Sequence, residues 1–177
     1  FLNKIEIIHN EKNRGLATAL NQGIKNALEN GAEWVLMLDH DSKPEPGMIA
    51  RMVSEYEAYP EKNKVGLIAP EIYEQNIVTP TRYLMPRGKY WFERCTLDVA
   101  YRDDVLSVIT SGSLIKTSMF KEVGLMPEHF FIDYIDHAFC LKLKKHGYKI
   151  LLVKGAILHH ALGDKTEHKI AGAKIIT

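Results

Sequence analysis

A chain of 177 residues is long enough to bury one proper core. Its charge is nearly balanced, with 23 basic and 22 acidic residues, which excludes bulk electrostatic capture of nucleic acid. No apolar run approaches the roughly 18–20 residues of a membrane span, no signal-peptide pattern occurs, and Cys95 and Cys140 alone make no disulfide framework, so a reducing cytoplasm is the expected compartment.

The chain opens on Phe1-Leu2-Asn3 and reads as a fragment. Residues 5–8 predict a short strand and 10–15 a polar turn. Leu16, Ala19, Leu20, Ile24, Ala27 and Leu28 then recur at helical spacing until Asn30-Gly31 stops them. Residues 34–38 predict a buried strand, 42–47 a loop, 48–59 a helix ended near Pro60, and 65–69 the next strand. This alternation implies right-handed crossovers and a mostly parallel sheet. From 71 to about 104 the pattern loosens into prolines and aromatics, and a hairpin-rich insertion is expected there. Residues 105–110 and 113–116 predict strands broken at Gly112, and Thr117 is expected to cap a short helix ended by Gly124. Residues 134–146 form a strongly amphipathic helix with Gly147 after it. Strands are expected at 148–153 and 156–159, followed by a polar tail from Gly163. The whole chain, 1–177, reads as one domain.

The run Leu36-Met37-Leu38-Asp39-His40-Asp41 places two carboxylates at i and i+2 just past a buried strand. In an extended segment such residues share a face, so Asp39 and Asp41 are expected to converge beyond the sheet edge, where ligands of open α/β folds bind. Two carboxylates aimed at one point repel unless a cation or proton lies between them; a hard divalent ion answers that need. His159 and His160 follow a strand, and alternation allows only one of them, taken as His160, to join the acids. Asp133 and Asp136 begin the long helix. Asp133 is explained by capping and the helix dipole; Asp136, beside Ile135 and Phe139, is placed to act as a general base. Asn13-Arg14-Gly15 and Thr110-Ser111-Gly112 each offer backbone N–H groups and small polar side chains suited to phosphate or sugar oxygens, or serve only as turns. His9, His129 and His168 read as surface residues, and Trp34 as core.

Taken together, these motifs resemble family 2 glycosyltransferases of the GT-A fold, in particular their bacterial rhamnosyltransferase-like branch. The resemblance rests on five segments in order: Asn13-Arg14-Gly15-Leu16-Ala17 with Asn21-Gln22-Gly23-Ile24; Trp34 through Ser42; Thr110-Ser111-Gly112; Phe131 through Asp136 with Phe139-Cys140-Leu141-Lys142; and His160-Ala161-Leu162-Gly163-Asp164. It implies a Rossmann-like, mostly parallel central sheet flanked by helices, with a small antiparallel insertion. By position it makes Asp41 a metal ligand, Asp39 a ligand or a contact to the donor ribose, and His160 the third ligand to Mg²⁺ or Mn²⁺. Asp136 becomes the base, and Asn13, Arg14, Gly15, Ser111 and Gly112 line the donor pocket.

The implied reaction moves a sugar, such as rhamnose, with inversion. The donor is a nucleotide-diphosphate sugar (dTDP- or UDP-linked) and the acceptor a glycan or lipid-linked glycan of a cell-surface polysaccharide. A cytoplasmic site follows, with peripheral association at the inner membrane face as an open possibility. The sequence departs from the family pattern at Ile135, Ala138 and Lys142, and the family's first strand is not found ahead of Phe1, so the resemblance implies a piece that needs that segment for full activity. Two other readings stand beside it. One is a non-catalytic glycan-binding or scaffolding domain, which Ala138 and Lys142 favour. The other is a sugar nucleotidyltransferase, for which the expected Gly-rich phosphate loop is not found.

Overall fold

The computed structural model describes residues 5–74, 80–160, 167–170 and 173–176. In chain order its main elements are helix α1 (Leu16–Glu29), strand β1 (Trp34–Leu36), the short strand β2 (Lys43–Pro44), helix α2 (Met48–Ala58) and strand β3 (Val65–Glu74). A hairpin of β4 (Tyr83–Arg87) and β5 (Trp91–Cys95) follows, then β6 (Tyr101–Arg102), β7 (Leu114–Lys116), the short helix α3 (Phe120–Val123), α4 (Ile135–Lys145) and β8 (Lys149–His160). Strands β9 (Glu167–Ile170) and β10 (Ala173–Ile176) close the chain as an antiparallel pair.

The central sheet runs β1-β7-β3-β8-β2, with β6 also on β8. Strands β3 and β8 form a long parallel ladder, and β1 runs in the same direction because β7 lies antiparallel between β1 and β3. The principal strands are therefore parallel, as expected of an α/β sheet, and the short β2 and β6 run against β8. The antiparallel β4–β5 hairpin stands off this sheet, and β3 itself extends to Glu74, into the stretch expected to belong to the insertion.

Alternation of side chains builds a core on each face. Leu67, Ala69, Ile115, Ile150 and Leu152 pack with Ala17 and Ile24 of α1 and with Phe139 and Leu143 of α4. Ile68, Leu114, Leu151 and Val153 turn the other way, onto Met48, Met52 and Tyr56 of α2. A strand covered on both faces reads as a continuous apolar run, which is why residues 65–70 of β3 and 150–153 of β8 are apolar without a polar alternate. Trp34 sits edge-on to Tyr56, ring centroids 5.0 Å apart.

Four expectations are corrected here. Residues 5–8 form no strand; they are exposed and have no ladder partner among the described residues. Residues 105–110 are irregular: Val105 and Val108 are buried, yet Leu106 donates its N–H to Leu84 O of the hairpin instead of joining the sheet. The strands expected at 148–153 and 156–159 are one strand, kinked where Gly155 adopts φ +72° and gives its N–H to the buried Glu71 carboxylate, 2.9 Å away. Thr117 does not cap a helix with its side chain; its hydroxyl donates to Ala32 O and Glu33 O. Both cysteines are free; burial pushes the Cys140 thiol up to about 12. No described helix is long and apolar enough to cross a membrane.

Candidate active site

Asp39, Asp41 and His160 meet where β1 and β8 end. One ligand atom from each lies within 4.8 Å of the other two. Strand β1 stops at Leu36, and the acids converge for a different reason from the one the alternation supplied. Ser42 N–H donates to Asp39 O at 3.2 Å, closing a tight turn over residues 39–42 that folds both carboxylates to the same side. Lys43 and Pro44 then pair with His159 and Leu158, fastening this turn to the end of β8. His159 Nε2 lies 2.8 Å from Glu45 Oε1, while His160 points to the acids, with its Nδ1 3.8 Å from Asp41 Oδ1.

Ser42, at the start of the expected loop, connects the group. Its Oγ lies 2.9 Å from His160 Nδ1 and 2.8 Å from Ser111 Oγ, and Ser111 Oγ in turn accepts the Asp39 N–H at 3.1 Å. Ser42 and Ser111 are both buried. A signal was available: a Ser directly after the second acid, with a second Ser at the end of a neighbouring apolar segment.

Asp136 lies in the first turn of α4, whose buried face is Ile135, Phe139, Cys140 and Leu143. Thr110 donates its hydroxyl and its backbone N–H to the Asp136 carboxylate. Burial pushes the Asp136 pKa up; the Thr110 hydrogen bonds oppose this without cancelling it, and the negative charge of Asp39 adds to the rise. The metal-type group and the helix carboxylate are thus electrostatic neighbours. Thr110 belongs to the Thr110-Ser111-Gly112 motif, and its contact is with the helix carboxylate. Asp133 is exposed and makes no capping bond; the residue that precedes the helix is Tyr134, which holds a left-handed backbone at φ +64°.

The glycines expected at the donor have other work. Gly112 (φ +77°) gives its N–H to Met37 O at 2.7 Å, and a Cβ there would come within 2.7 Å of Leu158 Cδ2 and Pro70 Cγ. Gly15 donates its N–H to Asn13 Oδ1 at 2.9 Å and lets the chain pass against Phe131, whose carbonyl accepts the Leu16 N–H. Neither N–H is left to cradle a phosphate. Asn13 serves this turn, and the positive charge of Arg14 is felt by Glu128, so the loop belongs with the segment before α4. Asn21 is a clamp: its side chain exchanges hydrogen bonds with the backbone of Met126 in both directions. His9 and His129 are exposed; the side chain of His168, like all of Ala161 to Asp164, lies outside the described residues.

A cavity of about 390 Å³ opens beside the group, lined by His160, Tyr134 and His137 on one side and Leu84 and Arg94 of the hairpin on the other. Within it Ser107 Oγ lies 2.7 Å from His137 Nδ1. A larger hollow of about 640 Å³, between Asn21, the 125–130 segment and α4, touches none of the three clustered ligands. The smaller cavity is the one joined to the chemistry.

Residues 1–124 match the sequence profile of "Glycosyl transferase family 2". The chain belongs to that family. This family 2 chain is 25% identical to dTDP-rhamnosyl transferase RfbF of Shigella flexneri over 186 residues, covering 98% of the chain and 57% of RfbF, so it spans little more than half the length of that relative. Its fold is similar to that of GalNAc-T7 in a crystal structure with UDP, GalNAc and Mn²⁺, at a TM-score of 0.62 and 14% identity, covering 92% of this chain and 32% of that one. That likeness establishes the GT-A architecture. Family membership also sets aside the nucleotidyltransferase reading.

Two carboxylates and one imidazole fit a divalent cation: the oxygens suit Mg²⁺ or Mn²⁺, and a neutral imidazole is tolerated by the softer of the two. Ser42 Oγ lies against Nδ1 of His160; in the tautomer that carries its proton there, the ring would offer Nε2 to an ion, the arrangement by which metal-binding imidazoles are usually oriented.

Proposed function

We propose that this family 2 chain is the catalytic unit of an inverting, metal-dependent glycosyltransferase. The donor is a nucleotide-diphosphate sugar, dTDP-rhamnose by likeness to RfbF, and the acceptor a glycan or lipid-linked glycan at the cytoplasmic membrane face. The observation that carries this reading is the convergence of Asp39, Asp41 and His160 within 4.8 Å, next to a half-buried Asp136 that feels the charge of Asp39.

Asp39, Asp41 and His160 would hold Mg²⁺ or Mn²⁺, with Ser42 fixing the imidazole. A divalent ion there supplies positive charge for the diphosphate as it departs. Asp136 takes the proton of the acceptor hydroxyl; that oxygen forms the new bond to the anomeric carbon as the bond to the diphosphate oxygen breaks, and the leaving group carries away the electron pair. Attack from the face opposite the diphosphate inverts the centre and needs no covalent enzyme intermediate. A base must hold the proton it takes, and burial, by raising the Asp136 pKa, makes its carboxylate a stronger proton acceptor than a solvated one. The 390 Å³ cavity receives the acceptor, since its walls come from residues 72–160 and include none of Asn13, Arg14 or Asp39.

The test uses the whole protein with Mn²⁺ and a panel of nucleotide sugars, the parent beside Asp41→Ala and Asp136→Asn. Asp136→Asn should lose transfer by roughly 10²–10⁴ while still binding Mn²⁺, and Asp41→Ala should lose both. Transfer retained by either folded variant overturns the assignment. A parent that binds metal and nucleotide without turnover returns the chain to the glycan-holding reading.

A further inference from the structure

The β4–β5 hairpin ends in Gly88-Lys89-Tyr90-Trp91-Phe92, and its three aromatic side chains are 75%, 77% and 51% exposed. The base of the hairpin is anchored, with Tyr83 and Met85 buried in the core, so the tip projects from a fixed support. Across the ladder Trp91 faces Arg87 and Phe92 faces Pro86. Successive residues of a strand point to opposite faces, so Trp91 lies on one side of the hairpin and Phe92 on the other, with Tyr90 in the turn. A flat protein surface would cover one face of such a ribbon. A fluid apolar medium covers both.

The charge pattern has the same bias. Between Arg82 and Arg94 there are four basic residues and one acid, in a chain that is otherwise close to balance. The acid, Glu93, is paired with Arg87 at 2.7 Å, which leaves the excess on Arg82, Lys89 and Arg94. Lys89 Nζ lies 5.3 Å from the Tyr90 ring. Tyr and Trp favour the membrane–water boundary because each has an apolar body and a polar tip. Basic side chains near anionic headgroups add attraction that salt screens.

We propose that this hairpin tip docks the protein on an anionic bilayer, with Tyr90, Trp91 and Phe92 entering the interfacial layer, Lys89 meeting the headgroups, and Arg94 and Arg82 adding positive field from further up the hairpin. Docking stands independently of the transferase reading. One consequence does rest on that reading: Leu84 and Arg94 of the same hairpin wall the cavity that reaches His160, so a docked tip brings the acceptor cavity to the lipid surface.

The experiment measures partition of the whole protein onto phosphatidylcholine vesicles with and without 40 mol% phosphatidylglycerol (about two-fifths anionic, a charge-rich test surface). It uses sedimentation and tryptophan emission, with brominated lipids as quenchers. Binding to the anionic vesicles should exceed that to neutral ones by about tenfold or more, weaken with salt, and bring Trp91 within reach of bromine placed high on the acyl chain. Trp34, packed on Tyr56, serves as the unquenched control in Trp91→Phe. The triple variant Tyr90→Ser, Trp91→Ser, Phe92→Ser should lose partition about tenfold or more, and Lys89→Glu should lose the preference for anionic vesicles; both should keep the parent's circular dichroism, since none of the four side chains is buried. Asp41→Ala should bind vesicles like the parent, whatever becomes of catalysis. Undiminished binding by the triple variant overturns the proposal, as does no binding of the parent to anionic vesicles. Lipid-free dimerisation abolished by the same three changes would assign the tip to a second copy and also overturn it.

Discussion

Thr110 holds Asp136 with two donors, and both favour the ionised carboxylate against the burial that opposes it. Thr110→Val removes the hydroxyl and keeps the shape. Asp136 should then titrate at still higher pH, and the acid limb of the pH–rate profile should move upward, with little change in the plateau. A stability consequence follows with a definite sign. A carboxyl whose folded pKa lies above its unfolded value contributes most below that unfolded value, near 3.8, and the contribution is lost as pH rises through the folded pKa. Asp136→Asn should therefore be at least as stable as the parent at neutral pH in urea unfolding, which separates lost catalysis from lost fold. Ser42→Ala leaves His160 without its nearest orienting oxygen; Mn²⁺ affinity, read as free Mn²⁺ by electron paramagnetic resonance, should fall roughly 10–100-fold with the fold intact. The meeting of Asp39, Asp41 and His160 was legible because acids after an apolar run and a histidine ending another have few bland explanations together. The bonds made by Ser42 and Thr110 were not, because a hydroxyl in a loop has many.

At the scale of elements, the reading of Asp39 and Asp41 reached the right convergence through the wrong geometry. Alternation in an extended segment and a four-residue turn both bring i and i+2 together, and only the Ser42 to Asp39 backbone bond distinguishes them. Residues 105–110 misled for a related reason: an apolar run looks the same whether a sheet or a hairpin covers it, and here Leu84 of β4 takes the backbone bond. The two-residue strands β2 and β6 are too short to leave a periodic trace. The glycines give the cleanest test at this scale. Gly112→Ala places a Cβ against Leu158 and Pro70 at a left-handed backbone and should cost about 2–4 kcal/mol. Gly23→Ala, inside α1 with nothing within 4 Å of the new Cβ, should stabilise by about 0.5–1 kcal/mol. Urea midpoints should move in opposite directions.

Over the whole molecule, β8 is the spine: it pairs with β3, β2 and β6, carries His160 at its end, and starts at Lys149. That ammonium sits among Tyr59 OH at 2.8 Å, Glu61 Oε2 at 2.5 Å and Asp103 Oδ2 at 2.7 Å. It ties the end of α2 and the turn before β3 to the segment after β6. Burial alone would raise the Asp103 pKa, yet the hydrogen bonds from Lys149 and Tyr59 outweigh it and hold the carboxyl below its ordinary range; the same bonds, Asp103 first, raise Lys149. The contribution of Asp103 is thus lost as pH falls through its depressed value, and that of Lys149 as pH rises through its elevated one. Lys149→Met should lower stability by about 1 kcal/mol at neutral pH, because the two carboxylates stay partly in water, and should lessen acid sensitivity in urea melts.

An ammonium has three hydrogens to give, and here three oxygens stand ready to take them. Only the bare amine attacks an acylating reagent, so Lys149 should be the slowest of the described lysines to be labelled. Its modification, followed by mass spectrometry against time, would then serve as a clock for the opening of this corner, eleven residues of strand away from His160.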